Sequence, residues 1–159
     1  MLFFKILFLM CFTVHNIEEG LWLPSWSLHA KKFHPVVTNR EMHFALLAVT
    51  ILGYGVTMMS YLFGMKSQIV EGLYLGFVAM MVLNVIFPHI IACIVLRRYA
   101  PGTMTGLFMV LPLGVWILYL YVRGQFPLMY LAGGTFVFTA VTLALLKPLF
   151  FLGRTLIKE

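Results

Sequence analysis

Aspartate is missing altogether from these 159 residues, and charged side chains of any kind make up only 10 % of them, against 62 % hydrophobic. An ordinary soluble domain is about a quarter charged, so this chain has too few charges to cover a water-facing surface. The solvent it implies is lipid. Cysteine is almost as scarce: Cys11 and Cys93 both fall in apolar stretches with no metal-type spacing, which excludes a disulfide framework and leaves them as core or lipid-facing residues. Nor is there an H-E-x-x-H helix, a Walker loop, a G-x-S-x-G elbow or the histidine-rich boxes of membrane di-iron oxygenases. The formal charge of +6 sits in short clusters between apolar runs, without a basic stripe and interleaved aromatics. A nucleic-acid partner is therefore not expected, and membrane lipids are.

What is present is apolar sequence in long runs. A membrane helix needs about 20 largely apolar residues, and five segments meet or approach that length: 2–23, 43–64, 68–96, 102–121 and 127–146. Residues 6–14 have the length of a signal-peptide core, but His15, Glu18 and Glu19 follow where small cleavage-site residues belong, so a permanent helix is expected. Residues 24–40 form a polar loop punctuated by proline, with Trp22 and Trp26 at its edge, as suits the headgroup level. The other connections are short and force antiparallel neighbours. The expected fold is all-α: a single membrane-embedded domain over 1–159, built as a bundle of about five transmembrane helices.

Counting basic residues sets the orientation. Lys31, Lys32, Arg40, Arg97, Arg98, Lys147, Arg154 and Lys158 fall on one side of the serpentine, and only Lys5, Lys66 and Arg123 on the other. The positive-inside rule makes the first side cytoplasmic, with the N-terminus outside and the C-terminus inside the cell membrane. His15 and His89 then lie at matching depth, each about 10 Å from the cytoplasmic helix end at 1.5 Å per residue.

The candidate chemistry centres on His15-Asn16-Ile17-Glu18-Glu19. Positions i, i+3 and i+4 share one helix face, so the first helix presents an imidazole and two carboxylates together. Ionisable groups in a bilayer are costly and face the bundle interior, a partner or a water-filled cavity. Two neighbouring carboxylates also repel in a low dielectric, and a cation relieves that conflict. His89, beside Pro88, is the expected partner from the third helix, where proline leaves the Asn84 carbonyl without its usual donor. His43, at the mouth of the second helix near Arg40 and Glu41, has the weaker claim to complete or gate the site. The competing reading has Glu18 and Glu19 at the interface with their ends in water, and His15 bonded to a backbone carbonyl.

Several residues read as structure. His29 and His34 lie in the polar loop and are expected to be solvated. Glu71, near Lys66 at the start of the third helix, is expected as a surface charge favoured by the helix dipole. In the turn Arg97-Arg98-Tyr99-Ala100-Pro101-Gly102, Thr103 and Thr105 are expected to cap the fourth helix, and Tyr99 can reach back to the site as a hydrogen-bond donor. Gly72 and Gly76 form a G-x-x-x-G, a spacing common in membrane helices by chance and given little weight.

Taken together these residues carry a resemblance. The chain resembles the HXXEE-domain family, small membrane proteins defined by H-x-x-E-E, a further histidine and Y-x-P-G; here those are His15, Glu18 and Glu19, then His89, then Tyr99, Pro101 and Gly102. The resemblance covers most of the chain and implies membrane location and a shared site, with no reaction attached. The expected site is His15, Glu18, Glu19 and His89 around a divalent metal such as Zn, Fe or Mn. As an enzyme it would be hydrolase-like towards a lipid or small apolar substrate, with the second Glu as general base and Tyr99 as hydrogen-bond donor. The alternatives are proton- or cation-linked permeation through the same groups, and a structural membrane subunit in which they fix helix packing.

Overall fold

The computed structural model describes residues 1–31 and 34–157, so Lys32 and Lys158, two of the basic residues counted above, lie outside the described residues. Among the described residues, the five apolar runs form five helices long and apolar enough to cross a membrane, and no strand occurs: α1 Leu2–Ser27, α2 Asn39–Phe63, α3 Gln68–Leu96, α4 Thr103–Arg123 and α5 Leu128–Leu156. Large apolar side chains such as Leu47, Ile51, Phe108 and Phe136 stand exposed on their outer faces, which in water would drive aggregation and in lipid is the expected surface.

Helix boundaries depart from the expected ones in α1, α2 and α5. α1 runs through Pro24 to Ser27. Pro24 has no N–H for the Gly20 carbonyl, and His43 Nε2 donates to that oxygen at 2.9 Å instead. A ring from α2 thus completes the hydrogen bonding of α1. α2 begins earlier than expected because Thr38 and Glu41 form a capping box. α5 likewise passes Pro148 and reaches Leu156, where Arg154 Nη2 pairs with the buried Glu41 at 2.5 Å.

α3 packs most extensively on α5, with α1 against α2 and the start of α4. The α3–α5 contact rests on the G-x-x-x-G given little weight above. A β-carbon on Gly72 would lie 2.7 Å from the Tyr130 carbonyl oxygen, and one on Gly76 would overlap the backbone of Gly134. α1 meets α3 through aromatic side chains: Phe8 and Phe12 both set their rings edge-on to Phe77, at 5.6 and 5.0 Å between centroids. Two irregularities interrupt the regular helices, a kink within Val85–Ile90 of α3, where Phe87 leaves helical dihedrals, and a wide turn at Gly106–Val110 in α4. Wide turns often mark functional positions, and these two irregularities flank the polar residues of α1.

Candidate metal centre

The two glutamates of H-x-x-E-E, adjacent in sequence, do different things. Glu18 reaches from α1 to the start of α4 and accepts four hydrogen bonds. Gly102 N–H donates to its Oε1 at 2.7 Å, joined by the Tyr99 hydroxyl; Thr105 N–H and Oγ1 donate to Oε2 at 2.9 and 2.6 Å. The first turn of a helix leaves its N–H groups unpaired, and this carboxylate serves two of them with its charge at the positive end of the dipole. The cap of α4 is therefore Glu18, and not the threonines. Thr103 Oγ1 turns back to the Ala100 carbonyl at 2.6 Å, and Gly102 holds the N-terminal position with φ +89°.

Glu19 points instead into a pocket with both histidines. Its Oε1 lies 3.0 Å from His89 Nε2 and 3.9 Å from His15 Nε2. The two imidazoles meet edge to face, with ring centroids 5.2 Å apart, so α1 and α3 bring them to one level of the bundle. His15, Glu19 and His89 each offer a ligand atom, all within 4.8 Å of one another. Three of the four expected ligands thus converge, and Glu18 does not join them.

The hydrogen bonds determine which nitrogen of His15 carries the proton. The Thr105 hydroxyl has one hydrogen, and at 2.6 Å it goes to the Glu18 carboxylate, which has none to give. Thr105 Oγ1 therefore accepts from His15 Nδ1, 3.1 Å away. In neutral His15 the lone pair is then on Nε2, fully buried and without a hydrogen-bond partner. That lone pair faces a carboxylate oxygen, a repulsive arrangement that is relieved by a cation between them or by a second proton on His15 that pairs it with Glu19. His89 Nε2 also touches the Asn84 side-chain nitrogen at 3.1 Å.

The remaining expected residues have other places. Tyr99 is held by Glu18, and loss of hydration together with that hydrogen bond pushes its phenol up to about 12. His43 serves the Gly20 carbonyl and is not among the three converging groups. His29 Nδ1 sits on the Ser25 carbonyl at 3.3 Å at the exposed end of α1, and His34 Nδ1 on Pro35 O at 2.6 Å. Thr105 and Asn84 were not anticipated as site residues. The signal that finds them is positional: Thr105 occupies the first turn of a helix whose N–H groups need an acceptor, and Asn84 precedes the proline kink that carries His89.

Glu71 departs furthest from expectation. It is buried, with Lys5 Nζ 2.7 Å from Oε1, Ser60 Oγ donating to Oε2 at 2.6 Å, and the Tyr121 hydroxyl donating to Oε1. Its partners come from α1, α2 and α4, with Lys5 66 residues and Tyr121 50 residues away, whereas the dipole and Lys66 are the influences visible locally. This second polar cluster lies at the opposite end of the bundle, beyond the fully buried Phe8, Phe12 and Phe77.

With this geometry in hand, comparison with other proteins gives a family but no activity. The family described as "Protein of unknown function with HXXEE motif" matches residues 6–117, a stretch that includes every residue of both motifs and stops short of α5. The uncharacterized protein YrkK of Bacillus subtilis (strain 168) is 38 % identical over 154 residues, covering 96 % of this chain and 97 % of its own. No solved structure matches. The chain belongs to the HXXEE family.

Proposed function

We propose that this HXXEE protein is an integral protein of the cell membrane that holds one divalent metal ion on His15 Nε2, His89 Nε2 and Glu19, and uses it as a hydrolytic centre towards a lipid or small apolar substrate. The observation that carries the reading is the buried, partnerless lone pair of His15 Nε2 facing the Glu19 carboxylate. An unpartnered buried polar atom costs about 1–3 kcal/mol, and a cation at that point satisfies it, the carboxylate and His89 together. Bonds of about 2.0–2.2 Å in a tetrahedral site put ligand atoms about 3.3 Å apart. The observed 3.0 and 3.9 Å bracket that spacing.

Three protein ligands and one open position are the pattern of catalytic rather than structural zinc sites. The second shell fits as well, since metal-bound imidazoles donate their other N–H to a fixed acceptor, and Thr105 is that acceptor for His15. When bound, the metal would polarise a substrate carbonyl and acidify a water. Hydrolysis then places the hydroxyl of one water on the acyl carbon and its proton on the leaving group. Glu18, with four donors on its two oxygens, has the role of holding the Tyr99–Thr105 turn against α1, which leaves Glu19 as the carboxylate nearest the reacting groups. Permeation fits less well, because Phe8, Phe12 and Phe77 fill the bundle between its two polar clusters. The basic residues at the His15 end, Arg40, Arg97, Arg98 and Arg154 among them, support an orientation with that end and the C-terminus cytoplasmic.

Elemental analysis of detergent-purified protein tests the site. The expected result is about one equivalent of a divalent transition metal, lost in His15→Ala and His89→Ala and retained in Glu18→Gln. Full metal content in both histidine variants, or a wild-type protein that takes up none from a metal-supplemented buffer, contradicts the reading.

A further inference from the structure

Beside the Glu18–Tyr99 contact, α1 and the start of α4 enclose a groove of about 770 Å³, a size suited to a small-molecule ligand. Ile17, Leu21, Trp22, Trp26 and Met104 make its walls. Glu18, Tyr99 and Thr105 line its floor, but their polar atoms are already bonded to one another, so what they offer an occupant is largely carbon surface. Arg98 is the cation on its lining.

Arg98 is exposed and, among the described residues, has no carboxylate partner; the acids of this end, Glu18, Glu19 and Glu41, are each engaged elsewhere. The groove is therefore a largely apolar trough with one unpaired cation on its lining. Ile17, Leu21, Trp22 and Met104 on its walls are exposed on the outer surface of the bundle, and tryptophan such as Trp22 and Trp26 favours the membrane interface. Leaflet lipids supply a ligand of matching shape: an acyl chain with a negative group at one end.

We infer that the groove binds an anionic phospholipid from the surrounding bilayer, with its phosphate on Arg98 and one acyl chain along Ile17, Leu21 and Met104. The guanidinium forms a charge-assisted pair with the phosphate, and the indoles of Trp22 and Trp26 flank the glycerol region. This binding requires no metal and stands apart from the hydrolytic reading, so chelators should leave it unchanged.

Fluorescence quenching tests it. Trp116→Phe leaves Trp22 and Trp26 as the remaining indoles. In phosphatidylcholine vesicles, a small fraction of chain-brominated phosphatidylglycerol should quench this protein several-fold more than the same fraction of brominated phosphatidylcholine. Arg98→Gln, an exposed position, should bring the two lipids to parity, while Arg123→Gln at the far end of the bundle keeps the preference. Equal quenching by both lipids overturns the inference. So does a preference that survives Arg98→Gln, or one that Arg123→Gln also abolishes.

Discussion

Gly102 lies so close under the His89 ring that a β-carbon there would sit 2.6 Å from Cε1, and 2.9 Å from the Cε1 of His15. The glycine of Y-x-P-G is thus the floor on which both imidazoles rest, and its φ of +89° is one that only glycine adopts readily. Alanine here combines a left-handed conformation, at about 1–2 kcal/mol, with an overlap costing about 1–3 kcal/mol. We expect Gly102→Ala to lower the thermal unfolding midpoint in detergent and to reduce metal uptake together. A variant with wild-type stability and wild-type metal content contradicts this.

The adjacent glutamates should separate in their effects. Glu18→Gln keeps one oxygen but sets an amide N–H₂ against backbone N–H donors, so the α4 cap loses about 1–3 kcal/mol while the metal ligands remain. Glu19→Gln should leave stability near wild type and weaken metal affinity by at least tenfold. Thermal unfolding and metal titration on the two variants check this, and equal loss of both properties in both variants is the contrary outcome.

At the far end of the bundle, Lys5 and Glu71 are a buried pair whose partners span four helices. Removing one member of such a pair leaves a buried charge and costs about 3–5 kcal/mol, whereas replacing both by apolar groups costs far less. Lys5→Met and Glu71→Leu should each destabilise strongly, and the double variant less than either. Additive losses in chemical unfolding of the three proteins would show that the two residues are not coupled.

Why some of this was legible and some was not follows from range. Five apolar runs specify five helices because backbone groups in lipid must bond within their own segment, and the i, i+3, i+4 spacing of His15, Glu18 and Glu19 fixes their common face. The helix ends were not legible. Whether Pro24 stops α1 depends on whether something else serves the Gly20 carbonyl, and that something is His43, 23 residues away. Likewise Glu18 and Glu19 share a face but diverge by one residue's rotation, which takes one to Tyr99 and Thr105 and the other to His89. Glu71 reads locally as a surface charge for the same reason. Its donors, Lys5 and Tyr121, are 66 and 50 residues distant, and no local pattern points to them.

Tyr99 gives a pH prediction. Its phenol is pushed up to about 12 from an ordinary 10 by loss of hydration and by the Glu18 hydrogen bond. A proton held more tightly in the folded than in the unfolded state stabilises fully below pH 10, and that contribution is lost as pH rises from 10 towards 12. The difference absorbance titration of wild type minus Tyr99→Phe should show one phenol with a midpoint near 12. A midpoint near 10 would mean that Tyr99 does not donate to Glu18.

The most direct test of the metal centre is X-ray absorption at the metal edge of protein loaded with one equivalent of zinc. The expected spectrum has an inner shell of nitrogen and oxygen at about 2.0–2.2 Å, with the outer-shell scattering of two imidazoles. In His89→Ala, which does not retain the metal, this two-imidazole signal should be absent. A first shell of oxygen alone, with no imidazole scattering in the wild-type protein, would contradict ligation by His15 and His89.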